Sequence, residues 1–198
     1  MNIIYTIKNS LYINITNKCC CNCTFCLRND NNGINYNESL WLEREPTIEE
    51  ILSKLKEYDL NSYDEIVFCG FGEPLMRIDI VIEIATWIKK HTTTSIRINT
   101  NGLGSLIHKK DVPSMLTGLV EAISISLNAH NKEKYNQVTQ PIYPEIAFES
   151  MLEFAKKCKK TVPNVQFSVV DVIGEEYIKQ SQLLAEKLEI PLKVRKEI

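Results

Sequence analysis

The chain is expected to fold as an α/β domain on a parallel sheet, and three observations lead there. Strand-like and helix-like stretches alternate along its 198 residues, the order produced when crossover helices join parallel strands. Within the strands, polar and apolar residues alternate, so each strand has one face for helices and one for something wetter. The helical stretches carry apolar stripes at helical spacing, the mark of elements packed on one side. Six strand-like runs occur, at 11–16, 65–69, 95–99, 122–128, 165–172 and 192–195, too few for a closed TIM barrel.

Taken in order, residues 3–7 and 11–15 read as a hairpin turning through Lys8-Asn9-Ser10. The first strand divides Leu11, Ile13 and Ile15 from Tyr12, Asn14 and Thr16. The first helix opens at Thr47-Ile48-Glu49-Glu50, a capping box preceded by Pro46, and its stripe is Ile48, Ile51, Leu52, Leu55 and Tyr58. A second helix covers 79–90. Ile96 and Ile98 then oppose Arg97 and Asn99, and Ile123, Ile125 and Leu127 oppose Ser124, Ser126 and Asn128. Phe148, Met151, Leu152, Ala155 and Cys158 stripe a later helix. Val165, Phe167 and Val169 oppose Gln166 and Ser168. The last helix, 175–188, stops ahead of Ile190-Pro191, because proline disfavours helix in the residue before it. Helices must cover the apolar faces, which turns the polar faces into a hydrated concavity. A two-layer domain whose second face meets solvent satisfies the same alternation. The length fits one domain, 1–198.

A formal net charge of -2 gives no overall reason to expect nucleic acid, and the basic run Lys156, Lys157, Lys159 and Lys160 reads as a solvated helix face. The longest apolar candidate, 78–88, carries Asp79 and Glu83 and is too short to span a bilayer. The opening Met1-Asn2-Ile3-Ile4-Tyr5 has no signal-peptide pattern, and a cytoplasmic protein is expected.

Five of the seven cysteines crowd into one loop: Cys19, Cys20, Cys21, Cys23 and Cys26. The C-x3-C-x2-C subset Cys19, Cys23, Cys26 supplies three thiolates to one iron-sulfur cluster, one fewer than such a cluster usually takes, so one iron stays open to another ligand. Spacing alone also allows Cys20, Cys23 and Cys26, and does not decide what Cys20 and Cys21 do. A zinc knot wants a second ligand cluster, which the sequence lacks, and a disulfide framework wants an oxidising compartment and an even count. Cys158 sits on a helical stripe as a core residue.

The ends of successive strands carry further chemistry, where such folds place their sites. Strand two runs into Cys69-Gly70-Phe71-Gly72-Glu73-Pro74, whose glycines permit close backbone approach and whose Glu73 can accept from an ammonium. Asn99-Thr100-Asn101-Gly102, Ser126-Leu127-Asn128 and Asp171 follow. Each has a bland alternative: a turn for Asn-Gly, or a cap on 131–135 for Asn128.

These residues together resemble the radical S-adenosylmethionine superfamily, whose signature is a C-x3-C-x2-C loop with an aromatic, here Phe25, before the last cysteine. Gly70, Phe71, Gly72, Glu73 and Pro74 are similar to its Gly-Gly-Glu-Pro element, with Phe71 in place of a glycine. More narrowly, the runs 11–17, 41–46 and 68–74 resemble a subgroup named for association with TatD-type nucleases. The resemblance implies a partial (β/α)6 TIM barrel with an open side, in which Cys19, Cys23 and Cys26 hold a 4Fe-4S cluster and S-adenosyl-L-methionine binds its open iron. It implies cofactor contacts from Phe25, Gly70, Gly72, Glu73, Pro74, Asn99, Asn101, Ser126, Asn128, Asp171 and Ile173, with the Gly-Gly-Glu-Pro element at the methionine amino group and the 172–174 run near adenine. It further implies reductive cleavage to a 5′-deoxyadenosyl radical, an unknown substrate, an external reductant of flavodoxin or ferredoxin type, and a functional link to a TatD-type nuclease. A glycyl-radical enzyme activase and a deazaguanine-synthase-like enzyme are the alternatives within this class. A noncatalytic iron-sulfur or zinc module is the alternative outside it. The long polar segment 28–45 is expected to cover the cluster, with Arg28 or Arg44 fixing a carboxylate or phosphate.

Overall fold

The computed structural model describes residues 1–29 and 39–196. Its centre is a seven-stranded sheet in strict sequence order. β1 (Ile4–Ile7) and β2 (Ser10–Ile13) form an antiparallel hairpin whose turn places Lys8 at φ 54°. The parallel strands β3 (Glu65–Phe68), β4 (Ser95–Thr100), β5 (Ala122–Ser126), β6 (Asn164–Val170) and β7 (Leu192–Arg195) follow from β2. β2 to β7 are therefore six parallel strands, and the sheet stays open between its outer edges at β1 and β7.

Helices connect them. α1 (Ile48–Leu55) starts with the expected capping box: the Thr47 hydroxyl accepts from the Glu50 N–H, and the Glu50 carboxylate accepts from the Thr47 N–H. α2 (Ile78–His91) and α7 (Glu175–Lys187) cover the expected stretches, and α6 (Ala147–Thr161) buries Phe148, Met151, Ala155 and Cys158 of its stripe. Three short helices were not foreseen: α3 (Gly104–His108), α4 (Val112–Met115) and α5 (Lys132–Thr139). In α5 only Tyr135, Val138 and Thr139 are buried, too short a stripe to stand out from a loop. Its cap is Asn131, whose side chain accepts from Lys134 N–H, and not Asn128.

Register settles which way the strands face. Leu11, Ile66 and Ile96 stand side by side, as do Ile13, Phe68, Ile98 and Ile123, and all are buried under helices. Tyr12, Val67 and Arg97 fall on the other face in the same rows. Strands end where side chains or dihedrals leave the ladder. β5 stops at Ser126 because Asn128 takes φ 57°, and β6 stops at Val170 because Asp171–Ile173 winds into a 3-10 turn. Cys158 is fully buried in the core. Lys157 and Lys159 pair with Asp111 and Glu189 on the surface, as a solvated face should. No described helix is long and apolar enough to cross a membrane.

Two substitutions test this packing by urea unfolding. Thr47→Ala is expected to cost about 1 kcal/mol by removing the cap. Phe154→Ala, at a 1 % exposed position of α6, is expected to cost about 3–5 kcal/mol through the cavity it leaves.

Candidate active site

The cysteine loop leaves the end of β2 and is pinned by backbone hydrogen bonds to the far end of α5. Asn22 N–H donates to the Thr139 and Gln140 carbonyls, Thr24 N–H to Val138, and Ile142 N–H to Cys20, while Cys21 bridges Pro141. Arg28 closes the loop from within, donating to Cys26 Sγ at 3.3 Å and to the carbonyls of Asn17 and Cys21 at 3.2 and 3.3 Å. Its guanidinium is thus spent as a loop clamp.

Burial sorts the five thiols. Cys20 and Cys21 are 2 % and 5 % exposed and belong to the core, whereas Cys19, Cys23 and Cys26 are half-buried and line a cavity of about 230 Å³. Cys21 reaches the cavity wall beside them. Proton sharing sorts them again. Hydrogen bonds from the Cys20 and Cys21 thiols pull Cys19 well below the ordinary thiol range, and the same bonds hold Cys20 and Cys21 above it. A hydrogen bond from Cys21 lowers Cys23 as well. The Asn101 amide donates toward this group, 3.2 Å from Cys20 Sγ and 3.8 Å from Cys19 Sγ. Among the described residues, no three His, Cys, Asp or Glu side chains are gathered as one metal ion would need. A four-iron cluster places its thiolates on separate irons, so the cavity-lining thiols Cys19, Cys23 and Cys26, with Cys21 beside them, suit it better than they suit zinc.

The second loop packs backbone against backbone on the first. A Cβ on Gly72 would lie 2.3 Å from the Thr16 carbonyl oxygen and 2.7 Å from that of Lys18; one on Gly70 would lie 2.0 Å from Asn14 Oδ1. Between them Phe71 lines the cavity and meets Trp41 edge-on, ring centroids 5.2 Å apart. Glu73, 5 % exposed, accepts at Oε1 from Leu75 N–H (3.0 Å) and the Thr100 hydroxyl (2.7 Å), and at Oε2 from Asn101 N–H (2.6 Å). Its own N–H donates to Lys18. Three of a carboxylate's roughly four acceptor positions are therefore taken by the protein. Glu73 ties the ends of β2, β3 and β4 together. Burial lifts its carboxyl to about 7.

Phe25, Gly70, Gly72, Asn99, Asn101, Ser126 and Asn128 join Glu73 and the cysteines around this one cavity. Asn128 is 4 % exposed, and its Oδ1 has no hydrogen-bond partner among the described residues. Such an atom at a cavity wall calls for a donor on a bound molecule. Pro74 and Ile173 are buried outside the lining, and Asp171 is exposed on the 3-10 turn after β6. The strand was expected to reach 172 and carry Asp171 to the rim; it ends at Val170, and Asp171 lies on the turn after it. Arg44 pairs with Glu50 at the start of α1. Residues 30–38, the body of the expected lid, lie outside the described residues. Arg195 and Lys196 also line the cavity and were missed, although Arg195 stands in phase with the polar side of its neighbours.

A profile of the Radical SAM superfamily matches residues 13–180. The chain belongs to that superfamily. Among curated proteins it is similar to the GTP 3′,8-cyclase of Clostridium perfringens, 28 % identical over 173 residues that make up 87 % of this chain and 49 % of that one. It is also similar to the probable GTP 3′,8-cyclase of Methanocaldococcus jannaschii, 36 % identical over 134 residues, 66 % and 40 % of the two chains. The chain thus spans about half the length of the curated relatives it matches. Streptococcus suis SuiB bound to S-adenosylmethionine shares its fold, with TM-score 0.69 and 17 % identity over 97 % of this chain and 41 % of that one. So does HydG, a maturase of the [FeFe]-hydrogenase, with TM-score 0.68 and 13 % identity over 96 % and 42 %. Members of the radical SAM superfamily use a 4Fe-4S cluster and S-adenosylmethionine, and the cavity thiols and the orphaned Asn128 oxygen fit both groups.

The contacts of Gly72 and Glu73 make two predictions for the apoprotein. Gly72→Ala is expected to abolish soluble folded protein or lower the thermal midpoint sharply, since its Cβ meets two carbonyl oxygens that cannot both withdraw. Glu73 titrates from an ordinary 4.5 to about 7 in the fold, so native protein holds the proton more tightly. Wild-type stability should fall as pH rises through that window. Glu73→Gln should lose that slope in urea titrations, at a cost of about 1–3 kcal/mol where its amide faces the Asn101 N–H.

Proposed function

We propose that residues 1–198 form one radical S-adenosylmethionine domain and that it catalyses hydrogen abstraction from a substrate seated in the concavity. The observation that carries this reading is the convergence of Cys19, Cys23 and Cys26 on one cavity with Phe25, Glu73, Asn101, Ser126 and Asn128. When bound, the cluster and S-adenosylmethionine supply the chemistry: one-electron cleavage to methionine and a 5′-deoxyadenosyl radical. The chain's own residues do the rest. Cys19, Cys23 and Cys26 hold the cluster, and Cys20 and Cys21 keep their protons. Carbonyls of the 70–72 turn would accept from the methionine amino group, in place of a Glu73 side chain already engaged. Asn128 Oδ1 accepts from a cofactor hydroxyl or amine. Phe25 and Phe71 keep water from the cavity.

An external one-electron donor of flavodoxin or ferredoxin type is implied, and a cytoplasmic setting suits seven free cysteines. The curated relatives carry the name GTP 3′,8-cyclase, which makes a purine nucleotide the first substrate to try. The subgroup resemblance at 11–17, 41–46 and 68–74 supports a functional link to a TatD-type nuclease.

Anaerobic reconstitution tests the reading. About four irons per chain, a paramagnetic resonance spectrum altered by S-adenosylmethionine, and 5′-deoxyadenosine on reduction are expected. Alanine at Cys19, Cys23 or Cys26 should abolish all three, while Cys158→Ala retains them. A reconstituted wild-type protein whose spectrum ignores S-adenosylmethionine sinks the proposal.

A further inference from the structure

The inward face of the sheet is positively charged in a chain whose net charge is -2. Parallel register makes this visible. Ser10, Glu65 and Ser95 share one row, Tyr12, Val67, Arg97 and Ala122 the next, and Ser168 with Lys193 and Val170 with Arg195 continue the same face at the far edge. Counting charged side chains on that face of β2 to β7 gives Arg97, Lys193 and Arg195 against a single carboxylate, Glu65. That carboxylate is occupied: Arg97 grips it through Nε at 2.8 Å and Nη2 at 2.6 Å, and donates its remaining arm to Asn99 Oδ1 at 2.6 Å.

Lys193 faces the other mouth of the barrel, beside Glu65 and Arg97. Arg195 is different. It lines the main cavity with Lys196, within electrostatic reach of Cys23 and Cys69. Among the described residues it has no carboxylate partner within ion-pair distance. Surrounding protein pulls it below the ordinary arginine range, though solvent still reaches it. It also ends β7, which among the described residues pairs only with β6. A guanidinium at a cavity wall with no carboxylate partner is free to take an anion from the cavity. Its planar fork is built for a carboxylate or phosphate oxygen pair.

We infer that the substrate of this cavity is an anion, held at the open edge by a bidentate contact from Arg195 with Lys196 as a second positive group. The inference rests on the proposed function and deepens it, because it places the charged end of the substrate at the β7 edge of the cavity that the three cluster cysteines also line. The uncharged remainder, bearing the hydrogen to be abstracted, then lies deeper in the cavity, whose wall includes Asn99 and Ser126. Positive potential focused inside the concavity also draws such a substrate in, more strongly at low salt.

The test is calorimetric binding of inorganic pyrophosphate and of citrate to the anaerobically reconstituted protein, the first standing for phosphate substrates and the second for carboxylates. At least one is expected to bind wild type, more weakly as salt is raised. Arg195→Gln should weaken that binding about tenfold or more, Arg195→Lys less, and Lys196→Gln less again. Circular dichroism of each variant checks that the edge strand is intact, and Arg195→Lys serves if the Gln variant misfolds. Wild-type protein that assembles no S-adenosylmethionine-responsive cluster defeats the proposed function. Protein that assembles it yet binds neither anion, or binds one equally well after Arg195→Gln and Arg195→Lys, overturns the anionic-substrate inference alone.

Discussion

Strand parity is the constraint on which the site depends. In a pleated strand alternate residues face opposite sides, so once helices cover Leu11, Ile13, Ile66, Phe68, Ile96, Ile98, Ile123 and Phe167, the residues between them have no choice but to face inward. Tyr12, Arg97, Asn99, Ser124, Ser126 and Ser168 are polar because they occupy those positions. The interior of the sheet is consequently a place for ligands and not a second hydrophobic core. Parallel pairing from β2 to β7 aligns the strand ends at one rim, which brings residues as distant in sequence as Cys19 and Arg195 to one cavity.

Parity delivers residues to the rim but does not hold the rim's shape. Two sets of contacts do. The cysteine loop borrows its backbone partners from α5 and the chain after it, at Val138 to Ile142, so its carbonyls and N–H groups are satisfied without secondary structure of its own. The 70–74 turn is pressed against 14–18 by glycines that tolerate no side chain, and Glu73 fastens it to Thr100 and Asn101. A buried carboxylate is an expensive fastener, as its lifted titration shows. Three donors offset much of that cost, and the arrangement fixes three strand ends at once.

Much of this could be read from the sequence because it is local. The alternation in 95–99, the Thr47–Glu50 capping box and the stripe of α6 are periodic signals within one element, and the structure contains each. The rim after β2, β3, β4 and β5 follows from knowing where parallel strands put their ends. What was not legible depends on neighbours distant in sequence. Asp171 was placed at the strand's rim by extending a strand that turns at Val170. Glu73 looked like a ligand for an ammonium because the donors that occupy it come from Thr100 and Asn101. Arg28 and Arg44 looked like anion holders, yet their partners are loop carbonyls, a thiol and Glu50. Arg195 had the right parity, but a four-residue edge strand read alone gives no sign of which side the helices cover.

The five-cysteine loop poses a selection problem that spacing cannot solve, since adjacent thiols compete for the same irons. Packing sets the five thiols apart. Cys20 and Cys21 are drawn into the core, where forming a thiolate costs desolvation, and they spend their protons on Cys19 and Cys23. Each donated proton does two things: it keeps the donor a thiol and favours the thiolate of the acceptor. Cys26 is set apart at the loop's end, under the Arg28 guanidinium. Crowding that looks redundant in sequence thus becomes a division of labour, in which the buried pair prepares the thiols that face the cavity.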